Sequence, residues 1–142
     1  MSELTDPRDA AVIAARAANE MKAIDVLVQK VGPFIGVTDY FVFATVRNPR
    51  QAEAVIEKME EDLRTKAAMK PLDREISKDG SWSLLDYGPL VIHVFSQEAR
   101  DYYRIEQLWS DAPFIDVRPL EGFEDMEYTD RGSALLSASE IP

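Results

Sequence analysis

Tyr40-Phe41-Val42-Phe43 sets four apolar side chains in succession, inside a strand-like segment at 39–46. Side chains alternate between the two faces of a strand, so an unbroken apolar run needs cover on both. A chain with such a strand folds in layers, helices against a sheet. The remaining segments supply those layers. Asp6-Pro7-Arg8-Asp9 has a capping acid followed by a proline suited to a first helical position, and Ile13, Ala17, Met21 and Ile24 recur at helical spacing. This predicts a first helix over about 7–22. Val26 and Val28, with Val31 at the limit, predict a short strand that Gly32-Pro33 breaks.

Asn48-Pro49 opens a long helix whose stripe is Ala52, Val55, Ile56, Met59 and Leu63, ending ahead of Pro71. Residues 72–77 predict a weak strand and Lys78-Asp79-Gly80-Ser81 a turn. Residues 82–87 and 90–95 predict two strands joined tightly at Gly88-Pro89. Ser96 caps a third helix that should run to about Trp109, and residues 114–117 allow one more short strand. The expected fold class is α/β: a single domain with a mixed sheet of about five strands flanked by helices. The domain should occupy residues 1–119. Residues 120–142 carry Glu121, Glu124, Asp125, Glu127, Asp130 and Glu140 against Arg131 with no apolar period, and read as an acidic, flexible tail.

Charge narrows the partners. The net charge is −10, and residues 1–70 hold 10 basic and 11 acidic residues against 6 and 15 in residues 71–142. Such a surface repels a phosphate backbone, so no direct nucleic-acid binding is expected, and a basic protein partner is favoured. No apolar run approaches the ~20 residues needed to span a bilayer, so no membrane partner is expected either. The acidic amino terminus lacks the order of a signal peptide, and cysteine is absent. The cytoplasm is the expected compartment.

Catalytic chemistry finds little footing. His93, the single histidine, shares a strand face with Val91 and Phe95, and pairing it with Asp86 across Gly88-Pro89 would make a base and its orienter. No serine or threonine marks itself as the nucleophile, and one histidine cannot build a multi-histidine zinc site. Asp73-Arg74-Glu75 has the one-residue spacing of a magnesium-binding acid pair, but it precedes the Gly80-Ser81 turn. No phosphate loop or dinucleotide fingerprint is present. The expectation is no enzyme, no cofactor and no metal, with His93 structural.

Trp82, Leu84 and Asp86 point to one side of their strand, and Ser83, Leu85 and Tyr87 to the other. An acid beside tryptophan and leucine suits a contact strip for an arginine or lysine. It equally suits a helix-covered core with Asp86 capping a turn, and the residues alone leave the two even. On the third helix, Tyr102, Ile105 and Trp109 share a stripe, with Tyr103 and Glu106 on an adjacent one.

Taken in order, these segments resemble the Iojap-like ribosomal silencing factors (RsfS). The likeness rests on Thr38-Asp39-Tyr40-Phe41-Val42, Arg50-Gln51, Trp82-Ser83-Leu84-Leu85-Asp86-Tyr87-Gly88, Val91-Ile92-His93-Val94-Phe95, Glu98-Ala99-Arg100 and Tyr103-Arg104-Ile105-Glu106-Gln107-Leu108-Trp109. It implies a small nucleotidyltransferase-like domain without the catalytic residues of that fold. It also implies a translation repressor that binds a basic β-barrel ribosomal protein on the intersubunit face of the large ribosomal subunit. There it would block joining of the small subunit when nutrients are short. A homodimer is a further implication. By position, Trp82, Leu84, Asp86, Tyr87 and Gly88 would belong to the partner-binding region, and Arg100, Tyr103, Glu106 and Trp109 to the family's third-helix pattern. Pro89 departs from the aspartate usual there, removing a charge and a backbone donor. Val46-Arg47-Asn48-Pro49 replaces a small-residue loop. Two alternatives are a diverged nucleotidyltransferase-like enzyme using Asp86 and His93, and a non-ribosomal dimeric adaptor.

Overall fold

A computed structural model describes residues 6–104, 107 and 111–115. In chain order the elements are α1 (Pro7–Glu20), β1 (Ile24–Lys30), α2 (Gly32–Ile35), β2 (Tyr40–Val46), α3 (Pro49–Ala67), β3 (Asp73–Ile76), β4 (Trp82–Asp86), β5 (Leu90–Ser96), α4 (Gln97–Tyr103) and β6 (Phe114–Ile115). Three helices open on side chains that satisfy their free N–H groups. Asp6 accepts from the Arg8 N–H at 2.8 Å, Asn48 from Gln51 at 2.8 Å and Ser96 from Ala99 at 3.1 Å.

The sheet has six strands in the order β3-β4-β5-β2-β1-β6, one more than the five expected. The sixth is β6, a two-residue strand antiparallel to β1, where residues 114–117 allowed one more short strand. Its pairing with β1 is long-range, and so short a segment carries little period of its own. β2 and β5 pair in parallel in the middle of the sheet and the other neighbours pair antiparallel. The central parallel pair explains the unbroken apolar run at Tyr40-Phe41-Val42-Phe43, because layers lie on both of its faces.

On the back face, α1 and α3 cover Val28, Val42, Leu85 and Ile92, all fully buried. α1 meets them with alanines: Ala10, Ala11, Ala14, Ala15, Ala17 and Ala18 are buried. Small side chains let that helix sit close to both the sheet and α3. Gln51 ties the two helices at their ends, donating to the carbonyls of Met21 (3.2 Å) and Lys22 (3.0 Å). Lys58 links Glu20 (3.3 Å) with the buried Asp62 (3.4 Å).

Three boundaries differ from those expected. α1 stops at Glu20, before Lys22. Gly32-Pro33 does not simply break the chain: Pro33 sits in the first turn of a one-turn helix, closed by Gly36 at φ 75°. α4 stops at Tyr103, where Arg104 takes φ 49° and its N–H returns to the Arg100 carbonyl. Glu106, Trp109 and the expected acidic tail lie outside the described residues. Among the described residues, no helix is long and apolar enough to cross a membrane.

Candidate functional site

The front face of the sheet is where the aromatic residues gather. Cross-strand pairing sets them in rows. Glu75, Leu84, His93, Phe43 and Leu27 form one row, and Asp73, Asp86, Val91, Phe41 and Gln29 the next. Trp82, Phe95 and Thr45 make a third. The middle of this face is closed, with Phe43, Phe95 and Ala99 buried. Leu27, Phe41 and Trp82 pack around them and stay only partly buried.

α4 closes that middle through Ala99 and Arg100 rather than through its tyrosines. Arg100 is buried, donates to Thr45 Oγ1 at 2.6 Å and to the Asp25 carbonyl at 3.1 Å, and lies over the Phe43 ring. Its charge is spent inside the fold. Tyr102 and Tyr103 remain exposed, at 80% and 45%. Tyr103 stands against Trp82 with ring centroids 4.6 Å apart.

The sequence-predicted set therefore divides. Trp82, Leu84 and Asp86 are brought together on the front face, partly buried, with Tyr103 beside Trp82. Tyr87 is buried on the back face within the α1–α3 core, and burial pushes its phenol up to about 12, with the Glu60 charge adding to the effect. Gly88 shapes the turn after β4 at φ 92°, and its N–H donates to Asp86 Oδ1 at 2.8 Å. Tyr87 and Arg100 are thus buried within the fold, and Gly88 lies in the turn bonded to Asp86.

Two acids whose spacing suggested only a metal-binding pair, Asp73 and Glu75, lie on the same face as Trp82, Leu84 and Asp86. Asp73 lies opposite Asp86, and Glu75 opposite Leu84. The only local signal was the alternation Asp73-Arg74-Glu75. Their place on this face follows from the β3–β4 register, which is a tertiary fact. Glu75, Ile76, Ser77, Trp82 and Leu84 line a shallow groove of about 210 Å³ at the sheet edge.

The pairing of Asp86 with His93 that catalysis would need is not formed. Asp86 opposes Val91 and caps Gly88, while His93 opposes Leu84. The imidazole accepts from the Trp82 indole, Nε1 to Nδ1 at 3.2 Å. Burial, and then the charge of Arg100, lowers its pKa to about 4. A base that weak is a poor proton acceptor near neutral pH. Among the described residues, no three or more His, Asp or Glu side chains group to hold a metal ion.

Comparison with known proteins supplies the family and supports the fold. The family model for "Ribosomal silencing factor during starvation" (RsfS) matches residues 5–137. The ribosomal silencing factor RsfS of Bacillus subtilis is 31% identical over 105 residues, covering 74% of this chain and 88% of that protein. A mouse protein named "Mitochondrial assembly of ribosomal large subunit protein 1" is 33% identical over 98 residues, covering 66% of this chain and 42% of its own length. A crystal structure of a Chromobacterium violaceum protein superposes with a TM-score of 0.70 at 25% identity, over 75% of this chain and 88% of that one. The chain belongs to the ribosomal silencing factor (RsfS) family.

Proposed function

We propose that this protein represses translation by docking its front face on the large ribosomal subunit and excluding the small subunit. The contact is with a basic ribosomal protein, of the β-barrel kind that the family resemblance implies, on the intersubunit side. The observation that carries the proposal is the strip itself. An anchored but partly open tryptophan and leucine stand beside three carboxylates on one sheet face, Asp73, Glu75 and Asp86. Aromatic anchors with a charged rim are the usual chemistry of a protein contact. The acids select a basic partner and speed the encounter. Steric exclusion needs no reacting group, in keeping with a buried, weakly basic histidine and an Asp86 committed to its turn. A cytoplasmic setting belongs to the same reading.

Pelleting with isolated large subunits tests it. The wild-type chain is expected to co-sediment at modest salt. Asp73→Lys combined with Glu75→Lys, both on exposed edge positions, should fold normally and bind at least about tenfold more weakly. Equal pelleting of both proteins would remove the acidic strip from the contact. Failure of the wild type to pellet would remove the docking itself.

A further inference from the structure

We infer that His93 is a positioning residue whose Nδ1 fixes the Trp82 indole in its docking orientation, a purpose that rests on the docking reading above. His93 is 4% exposed. Its ring lies parallel to Phe43 (5.3 Å, 16°) and Phe95 (5.8 Å, 6°) and perpendicular to Phe41 (4.9 Å, 85°). A phenylalanine would fill that slot with no polar atom to desolvate. The chain carries an imidazole there instead, and its Nε2 is buried with no hydrogen-bond partner among the described residues. An unpaired buried donor destabilises a fold. The one visible return is the bond from Trp82.

That bond also fixes the chemistry of the ring. An indole N–H only donates, so Nδ1 must keep its lone pair and the proton of the neutral imidazole sits on Nε2. Burial keeps the ring in that state near neutral pH. Without the bond, Trp82 would be held by ring contacts, on Phe95 at 5.2 Å, on the exposed Tyr103 at 4.6 Å and on the ring at position 93 at 6.0 Å. Ring contacts are weakly directional, whereas a hydrogen bond sets an angle. A side chain already oriented loses less entropy when a partner closes on it.

The test uses the full chain as wild type, His93→Phe, Trp82→Phe and the double variant. It reads the urea midpoint, exchange of the Trp82 indole proton in the free protein, and affinity for isolated large subunits. The indole resonance is identified by its loss in Trp82→Phe. The expected result for His93→Phe is an unchanged or higher urea midpoint, indole exchange at least tenfold faster, and affinity about tenfold lower. In the double variant, affinity should fall no further than with Trp82→Phe alone. Unchanged exchange with unchanged affinity would overturn the inference, as would additive losses in the double variant. A His93→Phe chain that unfolds would overturn it too, because phenylalanine must fit that slot. If the wild type fails to bind large subunits, the docking reading falls, and indole exchange still decides whether His93 holds Trp82.

Discussion

Gly88 takes φ 92° after β4, and an added Cβ would lie 3.4 Å from Leu72 Cδ1, an ordinary contact. The cost of Gly88→Ala is therefore conformational rather than steric, about 1–2 kcal/mol for a left-handed residue. Urea unfolding should show a loss of that size. His93 gives a second expectation, with a definite sign. Its folded pKa, about 4, lies below the ordinary 6.5, so the unfolded chain binds its proton first as pH falls. The stability of the neutral, buried form is fully present above pH ~6.5 and is lost progressively towards pH ~4, by about 3 kcal/mol in all. His93→Phe removes that pH dependence. Urea midpoints at pH 7 and pH 5 should therefore fall less in the variant than in the wild type. Equal falls would mean that the imidazole charges freely in the folded state. From the sequence, strand parity already placed Trp82, Leu84 and Asp86 on one face. The Trp82–His93 bond was not legible, because it runs diagonally between strands whose register the sequence does not state.

Among the elements, α1 depends on smallness. Ala14 is fully buried on the face that meets the sheet and α3. Ala14→Leu should destabilise the fold by about 1–3 kcal/mol through overpacking, read from the thermal or urea midpoint. A neutral result would mean that the helix can back away from the sheet. The long helices and the central strands were legible because their signals are local. Asp6 and Asn48 cap, Pro7 and Pro49 start, and apolar residues recur at 3.6 or run unbroken. β3 was faint because all four of its residues are exposed at the sheet edge. β6 was fainter still, being two residues long and defined only by its pairing with β1. α2 was hidden because Gly32-Pro33 signals a break, yet proline also suits a first helical turn. For Arg100 the family pattern left support and contact unseparated, because its bonds to Thr45 and to the Asp25 carbonyl join residues 55 and 75 positions away.

At the scale of the whole molecule, the two sheet faces divide the labour. The back face, sealed by α1 and α3, holds the fold. The front face is closed in its middle by α4 and left partly open along β3 and β4. Under the proposed docking, the net charge of −10 favours encounter with a basic surface. Exposed charges are screened by salt, so affinity for the large subunit should fall steadily as ionic strength rises. The Asp73→Lys, Glu75→Lys variant should lose most of that dependence, and an equal slope for both proteins would place the electrostatic contact elsewhere. The most direct test of the central claim is a sucrose-gradient assay of subunit joining. Purified large and small subunits are mixed with and without a stoichiometric amount of this protein. The expected result is a smaller joined-ribosome peak, with the protein migrating with free large subunits, and recovery of the joined peak with the Asp73→Lys, Glu75→Lys variant. A joined peak of undiminished size, with the wild-type protein bound to the large subunit, would contradict the account.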